Sequence, residues 1–252
     1  MERLRDMKEL AEKISDLKYQ KGEEIERTSK QYTRTMVPSD KPLKILDVGC
    51  GTGLNAKALA AKGHDVVGVD ISAEAIKKFR EAGFEGQQWD IAKGFPYPEN
   101  SFDLVYASEI IEHIVDPEVF LAEIYRILRP CGTLVLSTPN SAFWPFRLLA
   151  LVGRTASEVQ HWGHVRFFSR PGLRRLIAEV GFEDIKIAGR HIFLIFCGRV
   201  AEMAAPILEK LGFWREWRFR TQSPFWFWGQ FSSCASAFWA DTLIVTANKS
   251  KQ

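Results

Sequence analysis

"ILDVGCGTG" (residues 45–53) is the stretch whose reading decides the fold. Its apolar run carries no polar alternation, which is how a parallel strand covered on both faces reads. The glycines at 49, 51 and 53 then make a turn almost without side chains, with Asp47 two residues ahead of the first. Such a turn between a buried strand and a helix presents backbone amides to a ligand.

Outward from it, strand, turn and helix repeat. "LKILDV" (43–48) is the first strand, and a helix over 53–62 ends at Gly63. "DVVGVD" (65–70) is the second strand; Ser72 caps the next helix, Glu74 suits its first turn and Gly83 ends it. "EGQQWD" (85–90) and "FDLVYAS" (102–108) follow as third and fourth strands. Asp116–Pro117 predicts the start of a helix over 117–128, before a fifth strand "GTLVLST" (132–138). A helix at about 170–180 ends at Gly181 and leads to "EDIKIAG" (183–189), and "DTLIVTANK" (241–249) is the last strand. The alternation predicts an α/β, doubly wound, mostly parallel sheet with helices on both faces.

The flanks read differently. Residues 1–36 form an N-terminal amphipathic helical segment, with Leu4, Met7, Leu10, Ile14 and Leu17 as a narrow stripe that docks on the domain surface. Pro38 and Pro42 bracket a linker into the main domain, 37–252, which carries insertions at 141–168 and 190–238. With 252 residues, 46% of them apolar, the chain can bury one large core. A net charge of +3 is too weak to indicate a nucleic-acid protein. The four cysteines form no C-x-x-C pair, as expected of reduced thiols in a cytoplasmic protein. The charged first 36 residues hold no signal-peptide core, and the most apolar long stretch, 191–212, is broken by Arg199, Glu202 and Pro206.

Two cofactor classes compete for the glycine turn. The dinucleotide fingerprint is G-x-G-x-x-G, but here the spacing is G-x-G-x-G and position 54 is Leu. Asp47 at the mouth would repel a pyrophosphate, whereas a cofactor carrying an ammonium and a sulfonium would attract a carboxylate. Asp70 ends the second strand, able to accept from ribose hydroxyls, and Asp90 with Ile91 ends the third, beside an adenine. Singly, each aspartate is also an ordinary turn residue. Together at successive strand tips, they point to S-adenosylmethionine.

The motifs "ILDVGCGTG", "VVGVDIS", "WDI" and "FDLVYASEIIEHIVDP" resemble those of the class I S-adenosylmethionine-dependent methyltransferases over about 43–138. The resemblance implies a Rossmann-like, seven-stranded sheet with the last strand antiparallel. It implies an aminocarboxypropyl pocket lined by Asp47, Gly49, Gly51 and Gly53, with Asp70 on ribose, Asp90 and Ile91 on adenine, and Ser108 near the methionyl chain. "ASEIIEHIVDP" followed by "LSTPN" is similar to the ubiquinone-biosynthesis O-methyltransferase branch. "GHVRFFSRPGLRRLIAEVGF" (163–182) is similar to a block of small-molecule and glycan methyltransferases.

Methyl transfer from a sulfonium needs alignment, exclusion of water, and a base where the nucleophile carries a proton. His113, just after the fourth strand, and His164 are the candidate catalytic bases; His161 is a weaker one, and His191 reads as a packed residue. Glu109 and Glu112, three apart, could flank a cation with His113, but such a pair is more often a solvated surface feature, so no metal is expected. The Trp- and Phe-rich stretches 142–153 and 213–239, interleaved with Arg, read as a lid over an apolar acceptor, a peripheral contact at the inner membrane face, or a small second core. Single-stranded nucleic acid is not the expected partner, because Glu216 interrupts the Arg and Trp alternation. The expected function is methyl transfer to a hydroxyl of a small-molecule, lipid or glycan acceptor. Methylation at N or C, an NAD-dependent oxidoreductase and a catalytically silent cofactor-binding assembly protein are the competing readings.

Overall fold

A computed structural model describes residues 12–20, 28–151, 153–159, 163–190 and 240–251. At its centre is β1 (Lys44–Val48), paired in parallel with β2 (Asp65–Asp70) on one side and β4 (Phe102–Ser108) on the other. β3 (Glu85–Gln88), β5 (Leu128–Pro139), β6 (Glu183–Arg190) and β7 (Thr242–Asn248) complete a seven-stranded sheet of order β3-β2-β1-β4-β5-β7-β6. β7 runs antiparallel to both β5 and β6. Because the chain winds one way from β1 to β3 and the other way from β4 onward, the topological switch point, where sheets of this kind bind ligands, falls at the carboxyl ends of β1 and β4.

Alternate residues of β1 feed two cores. Leu46 and Val48 pack with α5 (Pro117–Ile127) and α8 (Arg170–Glu179), whereas Ile45 packs with α3 (Leu54–Ala60) and α4 (Ala73–Glu81). This two-sided burial is why the strand reads as an unbroken apolar run. Ser72 caps α4, its Oγ accepting from the Ala75 amide at 3.0 Å. Asp116 stands at the N-terminus of α5 but makes no side-chain cap bond, so Pro117 alone starts that helix. β3 stops two residues short of its expected end: Trp89 still bonds the Asp70 carbonyl, but the Asp90 side chain accepts from Ala92 and starts a short 3-10 turn, Ile91–Lys93.

The N-terminal segment includes α1 (residues 12–20) and α2 (Thr28–Thr35). Of the described stripe residues Ile14 is half-buried and Leu17 is 54% exposed, while Asp16 and Tyr19 bond the domain. Leu4, Met7 and Leu10 lie outside the described residues. Within 141–168, α6 (Trp144–Leu151) and α7 (Ala156–Val159) precede a return of the chain to the sheet, where Phe168 bridges Asn140. Of the second insertion, residues 191–239 lie outside the described residues; its anchors, Arg190 and Thr242, pair with each other beside Pro139 at the carboxyl end of β5. Among the described residues no helix is long and apolar enough to cross a membrane.

Candidate cofactor and active site

The glycine turn is pinned to the neighbouring strand, with the amides of Gly49 and Cys50 both donating to the Val69 carbonyl at 2.8 and 3.1 Å. Gly49, Gly51 and Gly53 have φ of 69°, 55° and 93°, in the left-handed region that disfavours any Cβ. At Gly49 a Cβ would also fall 2.2 Å from Ile110 Cδ1, so the segment following β4 lies directly against the turn. Asp47 is 1% exposed and stands in register between Gly68 and Tyr106. Burial, with the Asp47 charge beside it, raises the Tyr106 phenol above its ordinary value and keeps it neutral.

Asp70 is tied into the framework. Its Oδ2 accepts from the Gly51 amide at 3.0 Å and its Oδ1 from the Ser72 amide at 2.9 Å. It therefore clamps the glycine turn to the start of α4. Both oxygens are thus engaged at the strand tip where the ribose is expected. Asp90 is half-buried and lines a cavity of about 230 Å3 with Glu12, Ile71, Gln88, Trp89 and Lys93. Ile91, expected on adenine, packs against the core rather than forming part of that lining. Ser108 is buried, its Oγ 2.9 Å from Ser137 Oγ, which in turn donates to Glu109 Oε1 at 2.9 Å. A hollow of about 540 Å3 along β3, lined by Arg80, Glu85 and Tyr97, lies away from the carboxyl ends of the strands.

The histidines converge from distant parts of the chain. His113, at the end of a 3-10 turn (Ile111–His113), places Nδ1 2.9 Å from the Gly163 carbonyl. A carbonyl only accepts, so Nδ1 carries the proton and Nε2 is the acceptor nitrogen of the neutral ring. The His164 ring packs edge-on against it, centroids 5.0 Å apart. The amides of Val165 and Arg166 both donate to the Glu112 carbonyl and hold this juxtaposition. His161 and His191 lie outside the described residues.

The surface-pair reading of Glu109 and Glu112 is overturned. Glu112 is 1% exposed and its Oε2 accepts from Thr138 Oγ1 at 3.1 Å. Glu109 sits at φ 59° and accepts from Ser137, so the two carboxylates share no solvated face. Ligand atoms of Glu112, His113 and His164 lie within 4.8 Å of one another, a donor set able to hold a divalent cation. Sequence reasoning missed Ser137, Thr138 and Asn140, which close β5 against this cluster. Asn140 ties the approach to β7 to the start of the first insertion, donating to the Ala240 carbonyl and accepting from the Ala142 amide. The "LSTPN" block that contains them was the available signal.

A methyltransferase-domain family profile matches residues 14–187. The chain belongs to the class I S-adenosylmethionine-dependent methyltransferases. A ubiquinone biosynthesis O-methyltransferase of Idiomarina loihiensis is 34% identical over 158 residues, 58% of this chain and 64% of that protein, so the match spans just under two thirds of the relative. A probable S-adenosylmethionine-dependent methyltransferase of Mycobacterium tuberculosis is 31% identical over 147 residues, 58% of this chain and 50% of that protein. The 1,6-didemethyltoxoflavin-N1-methyltransferase of Burkholderia thailandensis shares the fold at a TM-score of 0.61 and 15% identity, over 98% of this chain and 90% of that one. S-adenosylmethionine is the cofactor of this methyltransferase, and its residues suit it: a buried carboxylate for the cationic end, a glycine turn almost without side chains, and acidic groups at the tips of β2 and β3.

Proposed function

We propose that the methyltransferase moves a methyl group to a hydroxyl of a small-molecule, lipid or glycan acceptor, with His113 as general base and His164 beside it. The bound cofactor supplies an electrophilic methyl carbon on a sulfonium with a neutral thioether as leaving group. With the cofactor bound, the acceptor hydroxyl would take that methyl group in place of the thioether, and His113 Nε2 would receive the hydroxyl proton. The observation carrying this reading is the His113 tautomer set by the Gly163 carbonyl, on a segment packed against Gly49. The relative named for O-methylation supports oxygen as the accepting atom. Turnover with radiolabelled S-adenosylmethionine and a panel of hydroxylated acceptors tests it. His113→Ala should lower kcat by roughly 10²- to 10⁴-fold while leaving cofactor affinity intact. Unchanged turnover in both His113→Ala and His164→Ala would remove the base assignment, and product mass spectra would expose N- or C-methylation.

A divalent cation on Glu112, His113 and His164 is a second reading, favoured by their clustering. Activity lost after chelation and restored by Mg2+ or Zn2+ would support it; activity indifferent to chelator would leave the bare base. An apolar acceptor or a membrane surface fits α6, where Leu148 is 54% and Leu151 82% exposed near Arg147. Flotation with phosphatidylglycerol vesicles should then weaken in Leu148→Asp with Leu151→Asp, and absence of flotation in the native chain would rule out the contact.

A further inference from the structure

Helix α1 meets the domain at the outer side of the adenosine end of the pocket. Asp16 Oδ1 accepts from Ser72 Oγ and, at 3.2 Å, from the Glu74 amide, at the electropositive first turn of α4. Glu12 Oε1 accepts from Gln88 Nε2 at 2.8 Å, and the same amide nitrogen donates to the Ile71 carbonyl at 3.1 Å. Gln88 is the register partner of Asp70, so Glu12 reaches the strand tip where the ribose end is expected. Glu12 is also one wall of the 230 Å3 cavity that contains Asp90 and Ile71. Pockets for whole drug-sized ligands run from roughly 300 Å3, so this one suits a single end of the cofactor.

The way α1 is held matters as much as where it lies. One chain of bonds runs from Asp16 through Ser72 and Asp70 to the Gly51 amide. Leu17 faces solvent at 54% exposure, while Tyr19 is buried and its carbonyl receives Lys78 Nζ. The hydrogen bonds of Glu12 and Asp16 to the domain are exposed or half-buried, and such contacts open at lower free energy than a fully buried apolar face.

We propose that α1 is a removable wall of the adenosine pocket, that Glu12 is a cofactor-binding residue, and that docking of α1 and cofactor binding are coupled. The cofactor enters with α1 undocked, and redocking brings Glu12 to the adenosine while Asp16 latches on α4. Each step then favours the other by the same factor. The proposal rests on the S-adenosylmethionine pocket and is independent of the acceptor.

The test uses the full chain, S-adenosylhomocysteine titrated by calorimetry, and hydrogen exchange across 12–20. Asp16→Ala, which loses two hydrogen bonds to α4, and Glu12→Ala, which loses one to Gln88, should each weaken binding about 5- to 20-fold. Glu179→Ala, in an exposed ion pair with Arg175, should not change it. Adding S-adenosylhomocysteine should slow exchange in 12–20 of the native chain, and less so in Asp16→Ala. Circular dichroism establishes that each variant is folded; if Asp16→Ala is not, Glu12→Ala and the native exchange data decide. Native affinity in the folded variants, or exchange in 12–20 indifferent to ligand, overturns the proposal. A native chain that binds no S-adenosylhomocysteine would overturn the pocket assignment itself.

Discussion

His64 shows how a single buried group sets a pH response. It is 6% exposed, and its Nδ1 accepts from the Leu43 amide at 3.3 Å, so the neutral ring is built in. Burial first, then the Lys62 charge, lowers its pKa below the ordinary value. The unfolded chain therefore binds a proton that the folded chain refuses, and stability falls as pH drops below about 6.5 toward the lowered folded value. Urea midpoints measured between about pH 5 and 7 should fall toward acid, and His64→Gln should flatten that slope; an unaltered slope would show that another group governs it. Asp47 and Asp70 were visible at this scale because a carboxylate at a buried strand tip has few structural excuses. The clamp that Asp70 makes on Gly51 was not, since it depends on where the turn after β1 comes to rest.

At the scale of elements, the packing of α4 on the sheet is set by two bare positions. A Cβ at Gly68 would lie 2.5 Å from Phe79 Cζ and 2.7 Å from Cys50 Sγ, and one at Gly86 would lie 2.7 Å from Phe79 Cδ1. Adjacent strands thus share a hollow for the fully buried Phe79 ring. Gly68→Ala should overpack it and cost roughly 1–3 kcal/mol in thermal or urea unfolding. Phe79→Leu should recover part of that cost in the double variant, and additive losses would mean that the two positions do not share the hollow. Helix and strand order was legible here from periodicity and from Ser72, Gly63, Gly83 and Gly181. The early end of β3 was not: Asp90 bonds its local amide at Ala92 in preference to continuing the ladder, a competition that strand patterning does not report.

Across the whole molecule, the second insertion is attached like an enlarged hairpin loop. Arg190 and Thr242 are paired, and β6 and β7 continue antiparallel away from them with a register shift between Glu183 and Lys186, so their own ladder joins the two ends of the insertion. Replacing 191–239 by a short Asn-Gly turn should leave a cooperative unfolding transition and S-adenosylhomocysteine binding in place. Methylation of the acceptor should be lost or altered, because the junction opens at the carboxyl ends of the strands where the site lies. Loss of folding in the shortened chain would instead make the insertion part of the core.

The sequence by itself determined the strand order along the chain, the methyl donor and the acidic strand tips, because burial on two faces and a turn in the left-handed region each demand particular residues locally. Only the tertiary structure decided that Glu112 is buried, that His164 meets His113 across some fifty residues, and that Glu12 meets Gln88. Those contacts join segments whose separation along the chain carries no periodic trace: the first two exist because β5 and the segment after α7 fold back over the end of β4, and the third because α1 lies against the end of β3. "ILDVGCGTG" therefore names the cofactor, while the groups that would receive the acceptor's proton are assembled by the fold.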